Sequence, residues 1–159
     1  MSGRALAVKN GNQLVEAVAA LGLALELEVH EQFEVARRLW GAKRQIDVIL
    51  IHPQTRKTLG IECKYQDAKG TAEEKIPSTI LDIAAWPISG LVVFAGAGFT
   101  ENMQSYLLST GKAVELEDLE PWLRLFFGLP LPRSKPSRPA RQRISQVVGE
   151  QMTIDTDFE

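Results

Sequence analysis

The segment SGLVVFAGAG, residues 89–98, restricts the fold of this chain more than any other feature. It contains no charged residue and combines valine and phenylalanine with small residues. A strand without a polar face is typical of the centre of a sheet that is covered on both sides. The sequence around it must therefore supply elements for both faces, which favours an α/β architecture.

Three strands are predicted before this central strand. Residues 25–40 alternate between apolar and polar at first and then lose the pattern, so we expect one strand with a bulge or a break. QIDVILIH (45–52) and TLGIECKYQ (58–66) flank a turn through Pro53. Two strands joined by so short a turn predict a β-hairpin.

Helices are predicted on either side of these strands. Apolar residues recur at helical spacing over residues 11–23. After the hairpin we expect a loop and then a helix over residues 78–85, because Pro77 would break a helix that began earlier. The elements after the central strand are a helix with Thr100 as N-cap and Gly111 beyond its end, a strand over 112–118 and a helix over 119–128.

This order of elements predicts the fold class. A helix and three strands are followed by alternating helices and strands, which indicates an α/β fold with a mixed sheet and helices on both faces. The chain has 159 residues, enough for one domain with a substantial core. We place that domain at residues 1–130.

Composition narrows the class of protein. The single cysteine, Cys63, excludes an internal disulfide framework and a Cys-rich zinc site. One free thiol suits a reducing compartment, so we expect a cytoplasmic protein. No apolar run reaches the length of a membrane span, and the N-terminus lacks the apolar core of a secretion signal, so no membrane partner is expected.

The C-terminal residues 131–159 are predicted to form a tail. Residues 133–143 contain five basic residues and no acid, whereas the last ten residues contain four acids and no base. Such a polar, proline-rich segment cannot bury a core of its own. The tail is therefore expected to be a flexible appendage, basic first and then acidic.

Charged residues on the hairpin suggest a reactive site. Glu62 and Lys64 share one face of the second strand by alternation, and Asp47 is the only acid between the apolar residues of the first. Across a hairpin, Asp47 and Glu62 can lie side by side, where they repel unless a cation sits between them. This pattern favours a Mg²⁺ site, in which Mn²⁺ can substitute, with Lys64 serving the attacking water or the phosphate.

A simpler interpretation exists for the same charges. Glu62 can form a salt bridge with Lys64, and its neighbour Asp47 can join it, on a solvated face of the sheet. The apolar strands on either side favour the metal site, because an isolated charge among apolar residues is costly unless it is paired or bound to a metal.

The arrangement Asp47, Glu62 and Lys64 in RQIDVIL and IECK resembles that of the PD-(D/E)XK nuclease superfamily. The resemblance covers roughly residues 11–100 and implies a restriction-endonuclease-like αβββαβ core. It implies that both acids hold a divalent metal, that the carbonyl of Cys63 joins them and that Lys64 serves the attacking water. Ile46 stands where the proline of the family name would be, and this proline is the least constant part of the pattern.

Two further residues join the predicted site through the same resemblance. Glu16 lies on the first helix, from which some members place a glutamate near the metal; the alternative is a solvent-facing position. Gln66 extends the motif to E-x-K-x-Q and is predicted to contact substrate or water. The alternative for Gln66 is a residue that ends the strand at its edge.

Basic and polar residues near the predicted site could contact nucleic acid. Lys69, Thr71 and Lys75 follow the second hairpin strand directly, at a spacing that suits phosphate contacts, and Arg44 precedes the strand that carries Asp47. The alternative is a solvated charged loop. A pattern of this kind in restriction-type relatives favours DNA over other substrates.

We therefore expect a Mg²⁺-dependent endonuclease that cleaves DNA. The alternatives are a nuclease for RNA or branched junctions, and a catalytically silent nucleic-acid-binding module on the same fold. The formal net charge of −2 argues against a protein that coats nucleic acid but permits local phosphate contacts. Because no sequence-reading domain is visible, a homodimer or a recruiting protein partner would have to direct the enzyme to its target.

Overall fold

The apolar segment that dominates the sequence forms the middle of a sheet. In the computed structural model, which describes residues 8–37, 43–67 and 76–132, this segment is strand β4 (Ser89–Ala95). Its residues from Gly90 to Phe94 are all buried. Side chains from both faces of β4 enter separate apolar clusters, as a strand covered on both sides requires.

Five strands make up the sheet among the described residues. Their spatial order equals their order along the chain. The first three strands pair antiparallel, whereas β3, β4 and β5 pair parallel, so the sheet is mixed. Besides β4, the strands are β1 (Glu28–Arg37), β2 (Lys43–Ile51), β3 (Thr58–Tyr65) and β5 (Ala113–Glu115).

Helices cover both faces of this sheet, which confirms the predicted fold class. One apolar cluster joins the first and last helices to the sheet through residues such as Leu14 and Leu123. The other joins the two middle helices through Ile83 and Leu107. The helices are α1 (Gly11–Ala24), α2 (Ile76–Ala84), α3 (Glu101–Ser109) and α4 (Leu119–Phe127).

Local signals set several of the observed boundaries. The Thr100 hydroxyl accepts a hydrogen bond from the Met103 amide at 3.2 Å, which confirms the predicted N-cap of α3. Gly111 follows that helix with φ +66°, a conformation that favours glycine. The predicted bulge in β1 is present between Glu34 and Ala36.

Two boundaries differ from the prediction. Helix α2 begins at Ile76, so Pro77 lies in its first turn, where the missing amide hydrogen costs no helical hydrogen bond. Strand β5 is shorter than expected, because Leu116–Asp118 form a 3₁₀ turn that leads into α4. The buried Leu116 and Leu119 hold this turn against the core.

The described residues up to Leu129 form one compact unit by their contacts. Of the predicted tail, residues 131–159, all but the first two residues lie outside the described ranges, so the division at residue 130 stays a prediction. In the described part of the chain, no helix is long and apolar enough to cross a membrane.

Candidate active site

The candidate site lies where the pairing of β2 with β3 ends. The regular pairs run from Ile51 and Thr58 to Val48 and Ile61. The next residue of β2 is Asp47, and its carboxylate oxygen Oδ2 accepts a hydrogen bond from the Cys63 amide at 2.8 Å. A side-chain carboxylate therefore takes the place that a backbone carbonyl would hold in a continued ladder.

The position of Asp47 follows from a break in the alternation of β2. In a regular strand Ile46 and Val48 would lie on the same face. Here both are fully buried, but Ile46 belongs to the cluster under α2 and α3, whereas Val48 belongs to the cluster under α1 and α4. The change of face falls at Asp47, whose side chain reaches toward the backbone of β3.

The electrostatic environment of Asp47 combines opposing effects. Burial raises the pKa of this carboxyl group above its ordinary value. The hydrogen bond from the Cys63 amide, the charge of Lys64 and a hydrogen bond from the Gln32 side chain each lower the pKa and offset part of that rise. Asp47 is thus a partly desolvated carboxylate that its neighbours help to keep ionised.

Glu62 and Lys64 lie on β3, beside Asp47 of β2, in the part of β3 that pairs with β4. They are in register with Val92 and Phe94, respectively. The Lys64 ammonium Nζ lies 3.4 Å from Glu62 Oε1, so the salt bridge of the simpler interpretation is formed. It does not lie on a solvated face, however, because the side chains of Glu62 and Lys64 are only 17% and 32% exposed.

Cys63 separates these two residues and packs against the cluster under α1 and α4. Burial raises the pKa of its thiol strongly, and the negative charges of Asp47 and Glu62 raise it further. The thiol therefore stays protonated at neutral pH and is no nucleophile. Both acids are close enough to influence the same sulfur, which places them around the same short stretch of β3.

Gln66 follows the last residue of β3 and anchors the turn after β4. Its side-chain amide donates to the Gly98 carbonyl at 2.9 Å, and its backbone carbonyl accepts from the Gly98 amide at 2.8 Å. Gln66 is only 6% exposed, and its side-chain oxygen Oε1 has no hydrogen-bond partner. A buried acceptor of this kind calls for a donor from water or from a ligand.

A family model for a PD-(D/E)XK nuclease superfamily domain matches residues 4–122 of the chain. The chain belongs to this superfamily. The match covers the whole sheet and the residues Asp47, Glu62 and Lys64. The superfamily is described as one of nucleases, which supports a nuclease-like function.

Solved structures resemble the chain in fold. Protein VC1899 from Vibrio cholerae shares 14% sequence identity at a TM-score of 0.50, with 76% of this chain and 34% of that chain covered. A protein of unknown function, AF1548, shares 18% identity at a TM-score of 0.48, with 67% of this chain and 58% of that chain covered. This chain thus spans less than two thirds of either protein. No curated protein matches the sequence.

The donor atoms of this superfamily member fit a hard divalent cation. Asp47 and Glu62 offer carboxylate oxygens, the ligands that Mg²⁺ prefers. Within residues 8–37, 43–67 and 76–132, no three His, Cys, Asp or Glu side chains are grouped so that they could hold a metal. Two carboxylates with backbone, water and phosphate oxygens match the usual Mg²⁺ environment, since this ion rarely takes an all-protein cage.

The structure does not bring Glu16 to the other acids. Helix α1 buries the stripe of Leu14, Val18 and Gly22, and Glu16 points away from that stripe and is exposed. No three acids are grouped as a metal site in the described residues, so a role for Glu16 as a third carboxylate beside Asp47 stays a prediction. Its position agrees with the alternative interpretation, a solvent-facing helix residue.

Of the four residues predicted to contact nucleic acid, the structure describes one. Arg44 Nε lies 3.0 Å from Asp82 Oδ1 on α2, and both side chains are less than one fifth exposed. The contact lacks hydrogen-bond geometry at Nε, so charge holds the pair together. Arg44 thus ties β2 to α2, and its contact with nucleic acid stays a prediction. Lys69, Thr71 and Lys75 lie outside the described residues.

One residue beyond those predicted lies at the site. Gln32 on β1 lies opposite Asp47, and its side chain lowers the pKa of that carboxyl group through a hydrogen-bonding interaction. The sequence carries no signal for this contact, because neither the backbone conformation of Gln32 nor its position opposite Asp47 follows from a local pattern.

Proposed function

We propose that this protein is a Mg²⁺-dependent endonuclease that hydrolyses phosphodiester bonds of DNA, and that Mn²⁺ can replace Mg²⁺. The observation that carries the proposal is the hydrogen bond from the Cys63 amide to Asp47, which fixes a partly buried carboxylate beside Glu62 and Lys64. An acid, a second acid and a lysine at one end of a strand pair are the groups that metal-assisted phosphodiester hydrolysis needs.

Asp47, Glu62 and the backbone carbonyl of Cys63 would hold the ion. The amide and carbonyl of one strand residue point to the same edge of the strand. Because the Cys63 amide points toward Asp47, its carbonyl faces the same gap between β2 and β3. A bound divalent ion supplies Lewis acidity toward the phosphodiester and offsets the charge of the phosphate.

Lys64 is the residue we assign to the attacking water. Its ammonium group contacts Glu62 and lowers the pKa of Asp47, so it lies near both acids. From there it can orient a water molecule or stabilise charge that develops on the phosphate. Gln66 supports the same step, since its unpartnered Oε1 can accept a hydrogen bond from water.

Cleavage assays test this proposal directly. Purified protein is incubated with supercoiled plasmid, linear duplex, single strands, a four-way junction and RNA, each with Mg²⁺, Mn²⁺ or EDTA. We expect metal-dependent cleavage of DNA, and its loss in Asp47→Ala and Glu62→Ala. Glu28→Ala is a matched control, because this acid pairs with Arg56 at the other end of β1.

Each alternative gives a distinct result in the same assays. If only RNA or only the junction is cleaved, that nucleic acid is the substrate in place of duplex DNA. Binding of nucleic acid in Ca²⁺ without cleavage in any metal would indicate a silent binding module. If Asp47→Ala and Glu62→Ala cut as fast as the parent, the active site lies elsewhere.

A further inference from the structure

Gln32 adopts an unusual backbone conformation in the middle of strand β1. Its φ is +51°, in the left-handed region that residues with a side chain seldom occupy. Two other non-glycine residues in the described ranges have positive φ, Glu26 and Arg56. Glu26 lies in the turn before β1 and Arg56 in the turn of the hairpin, where such angles are common. No turn explains the angle at Gln32.

The position of Gln32 in the sheet is opposite Asp47. On one side Glu31 pairs with Val48, and on the other Phe33 pairs with Ile46, so Gln32 and Asp47 lie between two regular pairs. The register is the same before and after this gap, which means that no residue has been inserted. The irregularity is therefore a local change of backbone direction and differs from the bulge further along β1.

The side chain of Gln32 uses this conformation to reach the candidate site. The interaction of its side chain with the Asp47 carboxylate is of the hydrogen-bonding kind and lowers the pKa of that carboxyl group. An ionised carboxylate only accepts, so the amide nitrogen of Gln32 must donate. The Cys63 amide donates to the same carboxylate from β3. Asp47 is thus held by donors from the strands on both sides of β2.

We propose that Gln32 is a positioning residue that orients the Asp47 carboxylate for the divalent cation, and that its left-handed backbone exists to bring its amide there. The inference rests on the proposed function, since it assigns Asp47 to the metal. Gln32 itself is exposed, so burial of its side chain offers no competing reason for the unfavourable angle. Partners that orient a metal ligand commonly control metal affinity.

Two substitutions separate the effect of the Gln32 side-chain amide from the effect of its backbone conformation. Gln32→Met keeps the length of the side chain and the backbone constraint but removes the donor. Gln32→Gly removes the donor and relieves the constraint, because glycine adopts positive φ freely. Glu26→Gly is the matched control: it relieves a similar angle, φ +62°, at a residue in the turn before β1.

The main measurement is Mn²⁺ affinity by calorimetry on the full chain without nucleic acid. We expect both Gln32 variants to bind Mn²⁺ about 10- to 100-fold more weakly than the parent, while Glu26→Gly binds as the parent does. Gln32→Gly should melt at a higher temperature than the parent because it relieves strain. Gln32→Met should show no such rise, since the strain remains. In cleavage assays at saturating Mn²⁺, both variants should recover most of their rate.

Other outcomes overturn the inference in distinguishable ways. If the parent binds Mn²⁺, Asp47→Ala abolishes binding and both Gln32 variants bind like the parent, Gln32 has no positioning role although the proposed metal site stands. If the parent binds neither Mn²⁺ nor Mg²⁺, the proposed function fails and the inference fails with it. Equal weakening in Glu26→Gly would show a general effect of backbone changes.

Discussion

A substitution at Gly96 tests how closely the turn after β4 packs against Gln66, the residue that follows β3. Its φ of +101° is one that residues with a side chain rarely adopt. A Cβ atom at this position would lie 2.1 Å from the backbone carbonyl oxygen of Gln66 and 2.8 Å from its carbonyl carbon. Backbone atoms cannot move aside as the end of a flexible side chain can, so Gly96→Ala must displace one of the two segments.

The expected loss of stability has two parts. A residue held in a sparsely populated backbone region costs about 1–3 kcal/mol. Forcing an extra methyl group into a packed contact costs about 1–3 kcal/mol more. The sum is roughly 4 kcal/mol. In a unit of this size each 1 kcal/mol lowers the melting temperature by about 4 °C, so Gly96→Ala should melt on the order of 15 °C below the parent.

Substitutions at two other glycines separate the cost of the close contact from the cost of the backbone angle. Gly111 and Gly128 have φ values of +66° and +67°, and a Cβ added at either would meet nothing within 4 Å. Alanine at these positions therefore incurs only the conformational cost, about 1–2 kcal/mol. Urea unfolding of the variants measures the differences. If Gly96→Ala loses no more stability than the two controls, the turn does not press on Gln66 and the close packing described here is wrong.

Three further predictions concern Asp47, Lys64 and the segment after Leu131. Burial raises the pKa of Asp47 above the ordinary aspartate value of about 4, so the metal-free parent should lose stability as pH rises above that value. Asp47→Asn should not show this loss, and equal pH profiles of unfolding for the two proteins would contradict the prediction. Lys64→Ala should abolish cleavage but keep Mn²⁺ binding by calorimetry, since Lys64 is no metal ligand; collapsed affinity would mean that it organises the carboxylates. Truncation after Leu131 should leave folding and metal-dependent cleavage intact but weaken duplex binding and its salt dependence; an unfolded product would show that the segment belongs to the domain.

Local patterns were sufficient to predict most of the fold. The strand around Val92 has no polar face, and the sheet indeed buries both of its faces. Alternation and a short turn predicted the hairpin, and Thr100 predicted the start of α3. These features depend on residues close together in sequence, whose spacing directly reflects the period of a strand or a helix.

Contacts between distant residues were beyond local patterns. The ion pair of Arg44 with Asp82 joins two elements whose approach depends on the packing of α2 against the sheet. The anchoring of Gln66 to Gly98 depends on the turn after β4. Glu16 shows the converse: the family resemblance suggested a metal ligand, but the rotation of α1 leaves its side chain exposed, so that role stays a prediction.

The position of β3 explains why the charges of the candidate site occur where they do. Strand β3 pairs with β4 from Leu59 to Tyr65, whereas its regular pairing with β2 ends at Ile61. Beyond Ile61, backbone groups that point toward β2 need other partners, because buried amides and carbonyls are rarely left without hydrogen bonds. The Asp47 carboxylate satisfies the amide of Cys63.

In the proposed site the carbonyl of Cys63 would face the same gap, because it points to the same edge of β3 as the Cys63 amide. Glu62 brings a second carboxylate beside Asp47, and Lys64 pairs with it. An amide donor cannot satisfy a carbonyl and two carboxylates at once, but a divalent cation can. The fork between β2 and β3 would therefore let backbone and side-chain oxygens bind the same ion, as the proposed function requires.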